Sequence, residues 1–121
     1  MKIAIVGSRK FPDPELVYQC VQNIYDHFGK DVVIVSGGCP NSPDVWAEEA
    51  AIMLDMAEPE IYLYENDKGK QGGFARNGKI VAPADLVIAF WDGKSHGTFD
   101  TIQKATKAKK PTDIRIRYAG K

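Results

Sequence analysis

One unit occurs three times along the chain and constrains the fold most: a short apolar run, a glycine-bearing loop, and the start of a helix. The apolar runs are Lys2–Val6, Asp31–Val35 and Leu86–Trp91. Each has the length and composition of a buried strand. Strands that alternate with helices form a parallel sheet with right-handed crossovers and helices on both faces. The sequence therefore predicts an α/β fold, a three-layer sandwich around a mostly parallel sheet of about five strands.

Weaker patterns complete the predicted order of elements. They predict a third strand at Glu60–Tyr64, a polar loop at Glu65–Gly73, a helix at Phe74–Val81 and a fifth strand at Asp113–Arg117. The alternating apolar and charged residues of Asp113–Arg117 indicate burial on one side only, which is typical of a strand at the edge of a sheet. We find no linker or repeat, so we expect a single domain over residues 1–121.

Arg76 lies in the first turn of the predicted helix Phe74–Val81, beside Asn77. A cation at that end opposes the helix dipole, which favours negative charge there. We therefore expect Arg76 to contact a ligand or a carboxylate such as Asp85.

Composition narrows the classes of partner. The chain has 16 basic and 16 acidic residues, so no global field attracts a polyanion, and we do not expect nucleic acid as a partner. No apolar run approaches the ~20 residues of a membrane span, and the first residues lead directly into a strand, so we expect a cytoplasmic protein. Cys20 and Cys39 fit no metal-ligand spacing, so we expect no metal and no cofactor.

The three glycine-bearing loops predict a shared anion site. Strand-to-helix loops of a parallel sheet open at the same edge, so these loops should border one cleft. Ser95 and Thr98 offer hydroxyl donors, Gly97 gives close access to the backbone, and the first turn of a helix attracts negative charge. Each glycine could alternatively be a simple turn residue, but three such loops favour a phosphate-bearing small molecule.

Five motifs, in order, resemble a known family. They are VGSR at Val6–Arg9, SGG with a following aspartate at Ser36–Asp44, GFARN at Gly73–Asn77, AD at Ala84–Asp85, and FWDGKSHGT at Phe90–Thr98. Their order and spacing resemble the YspA/YpsA-related family of the SLOG superfamily, relatives of the DNA-processing protein DprA and of the LOG-type phosphoribohydrolases. The resemblance implies a Rossmann-like fold and a SLOG-like domain that senses or processes nucleotide-derived ligands.

The resemblance also implies a set of ligand-binding residues. These are Gly7, Ser8, Arg9, Ser36, Gly37, Gly38, Asp44, Arg76, Asn77, Asp92, Gly93, Ser95, Gly97 and Thr98. His96, in a glycine-flanked loop, is a further predicted ligand contact. LOG-type hydrolases carry a glutamate three positions beyond the threonine of their GT pair; here that position is Thr101, with Asp100 one residue earlier.

Three functions follow, and we expect them in this order. The first is binding of a nucleotide or nucleotide-derived small molecule, as a sensor or sequestering module that acts as a homodimer. The second is N-glycosidic hydrolysis of a nucleoside-monophosphate-type compound, for which Asp44, Asp92 and Asp100 are the candidate catalytic residues, although each also has a structural interpretation. The third is single-stranded DNA binding, which only the kinship with DprA suggests.

Overall fold

The computed structural model describes residues 1–63 and 69–118, with the backbone alone for residues 69–73. Within this part of the chain there are five strands and four helices. In chain order they are β1 (Lys2–Gly7), α1 (Pro14–Phe28), β2 (Val33–Ser36), α2 (Pro43–Met53), β3 (Glu60–Ile61), α3 (Gly69–Val81), β4 (Leu86–Trp91), α4 (His96–Lys107) and β5 (Thr112–Ile116).

The five strands form one parallel sheet in the order β3-β2-β1-β4-β5. The strand order reverses direction between β1 and β4, which is the topology of a Rossmann-like fold. The predicted α/β fold with a parallel sheet of about five strands is confirmed. The fifth strand lies at the edge of the sheet, as its alternating pattern predicts.

Alternating residues of the buried strands face two separate cores. On one face Ile3 and Ile5 pack with the buried residues of α1 and α2; on the other, Ala4 and Val6 pack with Ile80 of α3 and with α4. A strand buried on both faces needs apolar residues at every position, and β1 and β4 both have four fully buried residues in succession. The sheet is therefore the middle layer of three.

Two predicted elements differ from the observed ones by more than two residues. α3 begins at Gly69, so the last part of the predicted loop Glu65–Gly73 is helical, and Arg76 lies beyond the first two turns. Glycine-rich sequence has low helix propensity, and the packing of α3 against α4 overrides that preference. β3 is only two residues long, and Tyr64, its predicted last residue, lies outside the described residues, as do positions 65–68.

The reversal of strand order places a crevice at the carboxyl ends of β1 and β4. The two ends are tied together by a hydrogen bond of 3.0 Å from the Ser8 N–H to the Phe90 carbonyl oxygen. Gly7 is needed here, because a Cβ at this position would lie 2.3 Å from Cγ of Pro43 and 2.7 Å from the Phe90 oxygen. The loops after β1, β2 and β4 all border this crevice.

The described residues contain neither a membrane-spanning helix nor a cluster of metal ligands. No described helix combines the length and apolar character needed to cross a membrane. No group of three or more His, Cys, Asp or Glu side chains in the described ranges is arranged to hold a metal ion.

Candidate functional site

A cavity of about 140 Å³ lies at the crevice between β1 and β4. Nine of the residues predicted to bind a ligand line it: Gly7, Ser8, Arg9, Asp44, Arg76, Asn77, Ser95, Gly97 and Thr98. They come from the end of β1 and the loop after it, from the first turn of α2, from α3, and from the loop after β4 and the first turn of α4. The topology therefore gathers residues that are up to 91 positions apart in the sequence, between Gly7 and Thr98, around one small space.

Four further lining residues were not predicted: Val6, Cys39, Ile80 and Thr101. Ile80 lies four positions after Arg76, and Thr101 three positions after Thr98, so helical spacing alone would have placed both on the same faces as predicted residues. Cys39 directly follows Gly37 and Gly38 in the loop after β2. The thiol accepts a hydrogen bond of 3.3 Å from Nε of Arg9.

The remaining predicted residues lie outside this cavity. Gly37 and Gly38 border an adjoining hollow of about 530 Å³, together with Arg9 and Arg76. Asp92 borders another hollow of about 510 Å³ with Arg9, Lys10, Lys94 and Ser95. Arg9, which is exposed, borders all three spaces.

Asp44 lies in the first turn of α2 and is only 3% exposed. Its carboxylate accepts hydrogen bonds from the N–H of Gly7 at 3.2 Å, the N–H of Gly37 at 3.1 Å and the N–H of Cys39 at 3.5 Å. Asp44 thus joins the loops after β1 and β2. Gly7 and Gly37 were predicted to bind a ligand, and in this structure their N–H groups bind a side chain of the protein itself.

Burial raises the pKa of Asp44 to about 6. The positive charge of Arg76 and the hydrogen bonds from Cys39 and Gly37 favour the ionised form and limit this rise, while Glu48 adds to it. Asp44 is therefore a buried carboxyl group that can change its charge within one pH unit of neutrality.

Arg76, in α3, forms a hydrogen bond with the loop after β2. Its Nη1 donates to the carbonyl oxygen of Gly37 at 2.9 Å, and a Cβ on Gly37 would lie 2.2 Å from that nitrogen. The expectation that Asp85 could be its carboxylate partner was wrong: Asp85 accepts a hydrogen bond from the N–H of Lys2, and Asp44 is the carboxylate that Arg76 stabilises. Arg76 lies in the middle of α3, and its side chain reaches the loop after β2 from there.

Asn77 connects α3 to the first turns of α4. Its buried amide nitrogen donates to the carbonyl oxygen of Gly97 and to Oδ2 of Asp100, both at 3.1 Å. Its amide oxygen accepts from Nε of Arg76 at 3.1 Å. Asp100 also pairs with Lys104, one turn further along α4. Asn77 therefore fixes Arg76 and the start of α4 relative to each other.

Asp92 organises the loop that leads into α4. Its Oδ1 accepts from the N–H of Lys94 at 2.9 Å and from the N–H of Ser95 at 2.8 Å. Burial opposes ionisation of Asp92, but these hydrogen bonds outweigh it and lower its pKa. Gly93 has a φ of +83°, and a Cβ there would lie 2.6 Å from Cε1 of Tyr118. Both residues shape the loop and lie outside the cavity.

The amino end of α4 has no side-chain cap. Ser95 occupies the N-cap position but makes no capping hydrogen bond, so the first-turn N–H groups are not satisfied by its hydroxyl. Thr98, two positions into the helix, is buried and shares a hydrogen bond of 3.1 Å with the hydroxyl of Ser8. The cavity is thus bordered by the positive end of a helix dipole and by the hydroxyl groups of Ser8 and Thr98.

The two last predicted residues lie away from the cavity. Ser36 is fully buried and donates a hydrogen bond to Oε2 of Glu48, while its oxygen accepts from the N–H of Gly38 at 3.0 Å. His96 is the exposed first residue of α4. Ser36 therefore connects the loop after β2 to α2.

These contacts define what the cavity can do chemically. Two guanidinium groups, a helix N-terminus and two hydroxyls favour an anion with several oxygen atoms, such as a phosphate group. The three candidate catalytic carboxylates all have hydrogen-bond partners: Asp44 in the loops, Asp92 in its own turn, and Asp100 with Asn77 and Lys104. Asp44 is the one that lines the cavity.

Comparison with known proteins gives two similarities. No protein-family model matches the chain. The gene 61 protein of Mycobacterium phage D29 is 30% identical over 112 residues, which cover 88% of this chain and 90% of that protein. A solved structure of DNA processing protein A from Helicobacter pylori, which concerns that protein's single-stranded DNA binding mode, has a TM-score of 0.70 and 25% identity, and covers 94% of this chain. The chain spans 64% of the length of that structure.

The second similarity corrects one expectation. The balance of charges led us not to expect nucleic acid as a partner, and the likeness to a protein with a single-stranded DNA binding mode contradicts that inference. Net charge is a sum over the whole chain and does not describe one surface. Arg9, Lys10 and Lys94 all border one hollow at the carboxyl edge of the sheet.

The two similarities differ in what they establish. The likeness to DNA processing protein A supports the Rossmann-like α/β fold, which the sheet order already shows. The likeness to the phage protein extends over nearly the full length of both chains. On that evidence the chain belongs to the family of the gene 61 protein of Mycobacterium phage D29.

Proposed function

We propose that the cavity between β1 and β4 binds a phosphate group of a nucleotide or nucleotide-derived ligand. The single observation that carries this proposal is the convergence of Arg9, Arg76 and the uncapped amino end of α4 on one space. Charged donors and a helix dipole together stabilise a phosphate better than any of them alone. We further propose that residues 1–121 form one domain of the YspA/YpsA-related branch of the SLOG superfamily, on the strength of the five ordered motifs.

The sizes of the spaces indicate how a nucleotide would be divided among them. Pockets that bury a whole small ligand usually measure roughly 300–1,000 Å³. The cavity of about 140 Å³ suits a phosphate group, and the hollow of about 530 Å³ beyond Arg9 and Arg76 has room for a sugar and base. Leu63, which borders this hollow, is 69% exposed and offers an apolar surface for a base.

We favour binding over hydrolysis. An N-glycosidic hydrolase needs a group positioned to assist departure of the base or attack of water. Asp44 is the candidate that lines the cavity, and its two carboxylate oxygens already accept backbone hydrogen bonds. A sensor or sequestering role requires only the donors that the cavity provides.

Single-stranded DNA is the second candidate, and the likeness to the H. pylori protein favours it. The shared chemistry is the phosphate group, which a free nucleotide and a strand both carry. A strand would also run along the hollow bordered by Lys10 and Lys94, because backbone phosphates follow a positively charged groove.

The test is a binding panel on the full chain, followed by thermal unfolding and calorimetry. The probes are AMP, ADP-ribose, cyclic AMP and an oligothymidylate of about 12 nucleotides, each checked afterwards for cleavage by mass spectrometry. A ligand at 100 times its Kd should stabilise the fold by roughly 2.7 kcal/mol, a shift of several degrees for a domain of this size.

The outcomes separate the candidates. Stabilisation by an intact nucleotide supports the sensor, stabilisation by the oligonucleotide alone supports the strand, and recovery of free base or ribose phosphate supports the hydrolase. No stabilisation by any probe would overturn the proposal of a nucleotide phosphate site.

A further inference from the structure

We infer that binding of a phosphate group in the cavity is coupled to uptake of a proton by Asp44, so that affinity rises as the pH falls. The inference rests on the proposed function, since it concerns the same cavity. It assigns to Asp44 a role in regulating the site in addition to its role in holding the loops.

A phosphate group bound in the cavity and the Asp44 carboxylate would repel each other. The Asp44 carboxylate is 3% exposed and borders the same 140 Å³ cavity as Arg9 and Arg76. A phosphate that reached both guanidinium groups would lie beside this carboxylate, with little water between them to screen the repulsion. Neutralising one of the two groups relieves this repulsion. The Asp44 carboxylate becomes neutral when it takes up a proton.

The surroundings of Asp44 make that proton transfer feasible. Arg76 of α3 stabilises the carboxylate, Glu48, one turn along α2, opposes it, and the loop after β2 contributes the Cys39 N–H and thiol. Arg9 reaches this group from the loop after β1, through its hydrogen bond to Cys39. From α4, the cavity is bordered by Gly97, Thr98 and Thr101, which carry no charge.

A bound phosphate acts on Asp44 in two ways, and both favour the protonated form. Its negative charge repels the carboxylate, and it competes for the positive charge of Arg76, which now stabilises that carboxylate. The pKa of Asp44 without ligand is raised to about 6, chiefly by burial. Binding therefore moves the pKa further upward, toward or past neutrality.

The direction of the pH dependence follows from linkage. If a ligand raises the pKa of a group, protonation of that group strengthens binding of the ligand by the same factor. Affinity is then constant above the pKa of the bound state, rises as the pH falls from there to about 6, and is constant again at lower pH. The rise is about tenfold for each unit by which the ligand raises the pKa of Asp44.

The experiment uses probes whose own charge does not change between pH 5.5 and 8. ADP-ribose meets this requirement because each phosphate of its pyrophosphate has a single, strongly acidic group, and an oligothymidylate with a 5′-hydroxyl meets it because its phosphates are diesters. Inorganic sulfate is a third probe. Affinity is measured by calorimetry across this range, and proton uptake is obtained at pH 7 from two buffers with different enthalpies of ionisation. We expect rising affinity toward low pH and net uptake of protons on binding.

Three variants locate the proton acceptor. Asp44→Asn should abolish both the pH dependence and the proton uptake, and should bind more tightly than the wild type at pH 8. Asp31→Asn removes an exposed carboxylate before β2 and should leave both unchanged. His96→Gln removes the exposed imidazole at the start of α4 and should also leave both unchanged.

The two proposals fail in different ways. If the wild-type protein binds a probe with equal affinity at every pH and takes up no proton, the coupling is wrong and the phosphate site stands. If His96→Gln rather than Asp44→Asn abolishes the effect, the coupling is likewise assigned to the wrong group. If no probe binds at any pH, the proposed function itself fails. If Asp44→Asn does not fold, proton uptake that persists in His96→Gln and Asp31→Asn supports Asp44 as the acceptor, and its loss in His96→Gln overturns that assignment.

Discussion

Arg9 borders the cavity and both adjoining hollows. It is exposed, and its Nε donates a hydrogen bond to the thiol of Cys39. Its position follows from the strand that precedes it: β1 is buried, ends at Gly7, and releases the chain at the carboxyl edge of the sheet. The sequence alone predicts this, since an apolar run followed by GSR places the arginine beyond the strand end. Arg9 is therefore the side chain whose removal tests the site most directly.

Arg9→Ala should weaken binding of ADP-ribose or of the oligothymidylate by about 10- to 100-fold, since hydrogen bonds between charged groups are worth roughly 1.5–3 kcal/mol. Arg9→Lys retains the charge but not the planar fork and should give an intermediate loss. Calorimetry at constant salt measures both. Lys30→Ala, at an exposed site before β2, is the control and should bind as the wild type does. Equal affinities for Arg9→Ala and Lys30→Ala would remove Arg9 from the site.

The role of Asp44 could not be predicted from the sequence to the same degree. Its place after Ser42 and Pro43 predicts a helix start, and the structure agrees. Its hydrogen-bond donors, however, are the N–H groups of Gly7, 37 residues away, and Gly37, seven residues away. A contact between two loops depends on how the sheet brings their strands together, and no local pattern encodes it. Donors expected to face a ligand are consequently satisfied within the protein.

At the scale of elements, periodicity predicts the buried strands well, because burial on one or both faces leaves a regular apolar pattern. It fails at the start of α3, where the glycines of 69–73 carry no such pattern, and at β3, which pairs over two residues only. The junction between α3 and α4 is likewise invisible in the sequence. It depends on Asn77, whose amide lies against the first turn of α4.

Asn77→Ala should reduce the free energy of unfolding by about 1–3 kcal/mol, because it removes a buried amide that donates to the Gly97 carbonyl and to Asp100 and accepts from Arg76. Denaturant unfolding measures this change. Asn23→Ala is the matched control, since Asn23 is an exposed residue of α1 that contacts Gln19, and its replacement should alter stability by less than about 0.5 kcal/mol. A similar small effect for both variants would show that Asn77 does not hold the two helices together.

For the whole molecule, the sheet order explains why one crevice collects so many of the polar groups. The reversal between β1 and β4 sends the following helices to opposite faces and leaves the carboxyl edge open between them. The burial of Asp44 at this edge affects the stability of the fold as well as binding. A buried carboxyl group whose pKa is raised by folding makes the stability of the entire fold depend on pH.

The sign of that dependence follows from which state holds the proton more tightly. Asp44 has a pKa of about 6 in the folded protein against an ordinary value of 3.8, so protonation favours the folded state. The contribution of Asp44 to stability is therefore fully present below about pH 4 and is lost as the pH rises to about 6. Two pH units at about 1.4 kcal/mol each give a loss of up to about 3 kcal/mol.

Asp44→Asn cannot ionise and lacks this loss, which gives a measurement for the whole molecule. The free energy of unfolding of the wild type should fall relative to that of Asp44→Asn between pH 4 and pH 6.5, whatever the difference between the two proteins at pH 4. Taking the difference cancels the titration of the other carboxylates, including Asp92, whose lowered pKa has the opposite effect on stability. A difference that stays constant with pH, or that moves in favour of the wild type as the pH rises, would mean that the loop N–H groups and Arg76 stabilise the buried carboxylate at least as strongly as burial disfavours it.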